Sequence, residues 1–254
     1  MIYIRSFIAN VVFYLLLLFG VFLSVVFSWW TPKSWTVKMW NNILLPLNAF
    51  LLKYTAGIEI ELRGVENILE TPALYASKHQ SAFETYFLTS VVKKGLFVMK
   101  KELTYIPLFG WAFYFYGMIA VNRQGASKAM KQMLKDGKER LKDGRSIIIF
   151  PEGTRLKPNA PPQYKSGVSF MYQNLNVPVV PIACNTGYFW GKSSFLRKKG
   201  KMIFEFLPAI EPNQYKKEFL SELENRIETA CKKLNEETVK NNPKLKEGEY
   251  NEKK

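Results

Sequence analysis

Histidine is nearly absent from this chain of 254 residues: His79 is the only one. Any histidine-dependent chemistry must therefore run through that imidazole, and a site built on two or more histidines is excluded. Cysteine is almost as scarce. Cys184 and Cys231 fit neither a disulfide framework nor a metal-ligand pattern, so they read as buried structural thiols in a reducing compartment, and no metal is expected. Acid is missing from the first 50 residues, whose only charges are Arg5, Lys33 and Lys38, and from Phe7 to Trp30 there is no charge at all. No internal repeat is evident.

What is abundant is positive charge. The formal net charge is +15 with a pI near 9.6, which points to an anionic partner: nucleic acid, anionic lipid headgroups or a phosphorylated substrate. Because residues 1–50 hold so little charge, most of the excess lies on the remainder. The length suits one α/β domain or one domain plus an appendage.

The uncharged run from Phe7 to Trp30 would extend roughly 36 Å as a helix, enough to cross a bilayer. A signal peptide has an apolar stretch of only ~7–15 residues ending in small side chains, whereas this one ends in Trp29 and Trp30, a pairing suited to a membrane interface. A retained segment is therefore expected, either spanning the bilayer or dipping into it. Trp35 to Tyr54, with Pro46 inside, reads as a kinked helix along the membrane surface or packed on the domain's own core. The chain thus divides into a membrane-associated segment (1–56), an α/β domain (57–242) and a charged, disordered tail (243–254).

Alternation in IEIEL at 58–62 marks a first strand. Further β-prone runs are Ala73 to Ala76, Leu96 to Met99, Met118 to Val121, Ser146 to Phe150, Val177 to Cys184 and Met202 to Leu207. Helical patterns at 81–93, 126–143, 166–175 and 215–239 separate most of them, the last with Phe219, Leu223, Ile227, Ala230 and Leu234 on one face. The fold class is α/β: a single sheet flanked by helices, preceded by one hydrophobic membrane helix or a two-helix membrane motif.

The most informative run is SKHQSAFET at 77–85. On a regular helix His79 and Glu84 would point roughly 140° apart, so they meet only if His79 lies in the turn before the helix. Glu84 could then fix the imidazole tautomer and leave the other ring nitrogen as a general base. The plain alternative is a capping turn beside a surface glutamate. Ser81 is a conceivable nucleophile, but no nucleophile elbow surrounds it.

FPEGTR at 150–155 follows the apolar strand SIIIF, where Gly153 allows a tight turn and Arg155 offers a fork for phosphate oxygens. GMIAVNR at 117–123 delivers Arg123 in the same way, and Lys100 and Lys101 end another strand. Each cation alone reads as a solvated surface charge; together they read as a phosphate clamp beside a base.

In order, HQSAFE (79–84), GMIAVNR (117–123), FPEGTR (150–155) and VPVVP (177–181) resemble the four blocks of the glycerolipid acyltransferases. The likeness covers roughly residues 57–210. It implies acyl transfer from acyl-carrier protein or coenzyme A, with no cofactor, to the sn-2 hydroxyl of a lysophosphatidate in phospholipid biosynthesis. It also implies His79 as base, Glu84 as its orienting partner, and Arg123 and Arg155 at the phosphate. Glu152, Gly153 and Thr154 are implied to hold the substrate, the first two at its glycerol portion. Lys100 resembles the lysine of the family's K-x-E-L stretch, and VPVVP would shape the wall of the site. The family more often has Asp where Glu84 stands, so the local backbone must absorb one extra methylene.

Such an enzyme would sit on the bilayer of the cell inner membrane with its site on the cytoplasmic face. The aromatics of WAFYFY (111–116) would line the acyl path or pack in the core. Two rivals remain: an acyltransferase for another lysolipid, and a non-enzymatic basic tether for nucleic acid or anionic lipid. The histidine–glutamate block speaks against the tether, so no nucleic-acid partner is expected.

Overall fold

The computed structural model describes residues 1–27, 29–122 and 125–245. Its sheet has seven strands: β1 (Ile58–Arg63), β2 (Leu74–Ser77), β3 (Leu96–Lys100), β4 (Ile119–Val121), β5 (Ile147–Ile149), β6 (Val179–Cys184) and β7 (Gly200–Phe206). They lie in the order β1-β7-β6-β2-β5-β3-β4. The run from β6 to β4 is parallel, whereas β7 is antiparallel to β6 and parallel to β1.

Both faces of the sheet are covered. Along β2 and the residue before it, Ala73 and Tyr75 pack toward one core and Leu74 and Ala76 toward the other, as the two-residue period of a strand requires. Helix α4 (Phe83–Val91) contributes Phe83, Phe87 and Leu88 to the first core. Helices α6 (Ala126–Lys142), α7 (Ser166–Leu175) and α8 (Lys216–Asn241) cover the second, with Phe219, Leu223, Ile227 and Leu234 of α8 turned inward.

At the N-terminus α1 (Ile2–Phe27) is a single helix of 26 residues. One face belongs to the domain: Ala9 and Phe13 join the first core, Phe13 meets Trp190 edge-on at 4.6 Å, and Asn10 donates to the Phe195 carbonyl at 2.8 Å. The other face presents Phe7, Val11, Leu15, Leu18 and Phe22 outward. The second stretch is helical too, as α2 (Lys33–Met39), a π-helical turn (Trp40–Leu44) and α3 (Leu45–Ala56). Pro46 has no N–H to continue an α-helical ladder, and the widened turn lies immediately before it. Residues 1–56 are therefore a two-helix motif built onto the α/β core. Of the expected tail, Pro243–Leu245 form a 3-10 turn with Leu245 against the core, and 246–254 lie outside the described residues.

WAFYFY (111–116), expected to line the acyl path or pack in the core, lies in helix α5 (Phe109–Tyr116). Ala112 and Tyr116 face inward, against Val21 and Val25 of α1 and Trp40, while Trp111 and Tyr114 face outward. None of the WAFYFY residues lines the cleft described below.

Candidate active site

Because β2, β5, β3, β4 and β6 run the same way, their carboxyl ends open on one edge of the sheet, where α/β proteins place ligands. That edge receives His79 after β2, Phe150 to Arg155 after β5, Lys100 at the end of β3 and Thr186 after β6. His79 lies in the loop between β2 and α4. Its Nδ1 is 2.6 Å from Glu84 Oε2, and its ring stacks on Phe150 with centroids 3.9 Å apart.

Glu84, in the first turn of α4, is fully buried. Its carboxylate accepts the Gln80 N–H at 2.9 Å, the Ser81 N–H at 2.8 Å, the Thr186 hydroxyl and, more weakly, the Cys184 thiol at 3.5 Å. These donors fix its rotamer, so the longer glutamate side chain reaches the imidazole with no slack. An acceptor-only carboxylate places the shared proton on Nδ1 and leaves Nε2 to receive one. Ser81 is buried, with its hydroxyl oxygen accepting the Phe83 N–H at 3.1 Å.

Behind the histidine lies a network the sequence reading missed. Lys78, 2% exposed, places its Nζ 2.7 Å from Glu152 Oε1 and 2.8 Å from Glu228 Oε1 on α8. Burial works against the Lys78 charge, but the two carboxylates outweigh it and hold its pKa above the usual lysine value. The other Glu152 oxygen accepts the backbone N–H of His79 at 3.3 Å, and the Leu156 N–H donates to the His79 carbonyl at 2.8 Å. The expectation that Glu152 holds the glycerol portion is therefore corrected: it is fully buried, both of its oxygens are occupied, and it braces the His79 backbone from behind. A lysine adjoining the buried strand β2 was the available signal.

His79 opens on a cleft of about 660 Å³. Lys100, Gly153, Thr154 and Arg155 line it, together with Lys165 and Lys192, which sequence reasoning overlooked. Gly153 takes φ +64°, so FPEGTR turns sharply enough to face its tip into the cleft. No carboxylate lines the cleft among the described residues, so its polar wall is cationic. Its apolar wall includes Phe97, Met99, Met130, Met133 and Val168. Arg123 lies outside the described residues. VPVVP leads into β6, whose central position in the sheet carries Cys184 and Thr186 to Glu84.

Both cysteines are buried, and burial raises both thiol pKa values, that of Cys231 to about 12, which makes them poor nucleophiles. Among the described residues no three His, Cys, Asp or Glu side chains gather into a metal site.

A helix-covered sheet carrying a carboxylate-backed histidine on a half-apolar, half-cationic cleft has the chemistry that acyl transfer to an amphiphilic anion would use. The acyltransferase family model matches residues 59–185. A 1-acyl-sn-glycerol-3-phosphate acyltransferase of Pseudomonas aeruginosa is 34% identical over 229 residues, covering 87% of this chain and 88% of that protein. One of Haemophilus influenzae is 28% identical over 81% of this chain and 85% of its own length. The crystal structure of a 1-acyl-sn-glycerophosphate acyltransferase from Thermotoga maritima superimposes with a TM-score of 0.72 at 20% identity, covering 92% of this chain and 99% of that one. The chain belongs to the acyltransferase family, among its 1-acyl-sn-glycerol-3-phosphate acyltransferases.

Proposed function

We propose that the protein transfers a fatty acyl group from a thioester to the sn-2 hydroxyl of 1-acyl-sn-glycerol 3-phosphate, giving phosphatidic acid for phospholipid biosynthesis. The observation that carries this reading is the 2.6 Å contact between His79 Nδ1 and a fully buried Glu84, on a cleft whose polar wall is cationic. His79 Nε2 takes the hydroxyl proton as the oxygen attacks the thioester carbonyl. A C–O bond forms, the C–S bond breaks, and the departing thiolate receives the proton from the imidazolium. Lys100 and Arg155, with Arg123, hold the acceptor phosphate, and Gly153 and Thr154 shape the loop against it. The names of the relatives support the acceptor.

The outward apolar face of α1 suits an enzyme seated on the cytoplasmic face of the inner membrane, where its amphiphilic acceptor resides. Arg155→Ala is expected to raise KM for lysophosphatidate about 10- to 100-fold, the worth of a hydrogen bond to a charged group. Steady-state assays on membranes should show this, with lysophosphatidylethanolamine affected far less. Faster turnover on the headgroup-bearing lysolipid than on lysophosphatidate would remove the proposed acceptor.

Either acyl-carrier protein or coenzyme A can present the thioester, and one feature favours the carrier. Lys128, Lys131, Lys135, Lys138 and Lys142 are all exposed and are spaced to share one side of α6, the helix that supplies Met130 and Met133 to the cleft. An acidic protein would be steered onto such a stripe. Lys131→Glu with Lys135→Glu is expected to lower kcat/KM for acyl-carrier protein about tenfold at low salt while sparing acyl-coenzyme A. Equal effects on both donors would exclude this surface.

A further inference from the structure

Between the cleft and the N-terminal helices runs a stretch that neither the acyl-transfer chemistry nor the two-helix motif accounts for. It consists of a 3-10 turn (Lys101–Tyr105) followed by α5. From Leu103 to Asn122 the sequence carries no charged residue, and Lys100, Lys101 and Glu102, with a net positive charge, stand immediately before it. Its outer side exposes Tyr105, Ile106, Leu108, Trp111 and Tyr114, the last two at 61% and 74%. Beyond residues 1–56 the described surface exposes few other large apolar side chains: Leu103 of this same turn, and Val65, Phe195 and Tyr215 elsewhere.

We propose that this turn and α5 form a second lipid-contacting element, seated in the bilayer beside α1, along which the lysolipid acceptor passes between membrane and cleft. Three observations select a bilayer as the occupant. The inner side of α5 packs through Ala112 and Tyr116 on Val21 and Val25 of α1, so its exposed side continues the outward apolar face of that helix. Tryptophan and tyrosine, with polar edges on apolar rings, are the residues that settle at the headgroup boundary, and the two lysines suit anionic headgroups. Leu103 is both exposed and part of the cleft wall, so one apolar side chain is shared by this surface and the cleft onto which His79 opens.

The element is also braced to act as one unit. A Cβ on Gly110 would stand 1.9 Å from the Thr104 carbonyl oxygen, so only glycine lets α5 close onto the turn. Leu108, between them, takes φ +65°, a backbone conformation unfavourable for leucine that directs the chain into α5.

The proposal rests on the reading that α1 meets lipid, and the test separates the two. Cys184 and Cys231 are buried, so a nitroxide can be placed on the full chain at Trp111→Cys, with Leu15→Cys and Tyr215→Cys as references. In phosphatidylglycerol–phosphatidylethanolamine vesicles, labels at 15 and 111 should collide with oxygen several-fold more, and with a water-soluble nickel chelate several-fold less, than the label at 215. Nickel access at 111 equal to that at 215, with 15 shielded, overturns this proposal and leaves the reading of α1 standing. Nickel access at both 15 and 111 overturns both, and spin–spin broadening at 111 assigns the surface to a second copy instead. In a parallel assay, Trp111→Ser with Tyr114→Ser should slow turnover of long-chain lysophosphatidate in vesicles about tenfold, while a short-chain, water-soluble lysophosphatidate stays within about twofold. Equal losses on both substrates would overturn the passage role.

Discussion

Replacing Glu84 by Gln is expected to lower kcat/KM by about 10³- to 10⁴-fold, nearly as much as replacing His79 by Ala. The two side chains have almost the same shape, and the remaining amide oxygen can still accept the Gln80 and Ser81 N–H groups. What changes is the partner offered to His79. An amide NH2 facing Nδ1 makes that nitrogen an acceptor and moves the ring proton to Nε2, the position that must be free to take the hydroxyl proton. The enzyme should therefore fold, bind lysophosphatidate with little change in KM, and turn over very slowly. Kinetics on membranes, paired with thermal unfolding in detergent, would check it. Turnover within tenfold of the parent would show that tautomer control is not what Glu84 contributes.

Lys78→Met is expected to be the most damaging change to stability that touches no substrate, at about 3–5 kcal/mol. Removing the ammonium leaves Glu152 buried without its cation, while Glu228, about one-quarter exposed, can turn toward water. In a chain of this size that corresponds to a fall in unfolding temperature of roughly 6–20 °C. Adding Glu152→Leu removes the stranded charge and should recover part of the loss. Activity should stay low in the double variant, because the His79 N–H has lost the oxygen that holds it. Recovery of stability and activity together would deny Lys78 and Glu152 any part in placing the base.

The strands and helices were legible because their burial patterns are simple. SIIIF lies between two cores and reads as an unbroken apolar run, while α8 shows one clean apolar side. Helix α5 was not marked as helical, since a short segment that is apolar all round carries no period. Sheet order was hidden as well: nothing local says that β7 inserts between β6 and β1 in the reverse direction to β6. That His79 and Glu84 meet was legible because their spacing lets them do so only when His79 lies in the turn before the helix, which is where the structure has it. Glu152 was misplaced because adjacency to an exposed turn does not reveal which way a side chain faces, and Lys165 and Lys192 were passed over because they reach the cleft only through tertiary folding.

The position of β7 also governs the order in which the chain can be completed. Strand β1 pairs only with β7, from Ile58 opposite Gly200 to Arg63 opposite Glu205. The first strand to leave the ribosome thus waits for the last, while the parallel strands between them can already associate. Asn10 waits likewise for the carbonyl of Phe195. Truncation before residue 195 would leave β1 as an unpaired edge and α1 short of its polar anchor, so fragments of the nascent chain should be far more prone to aggregation than the finished protein.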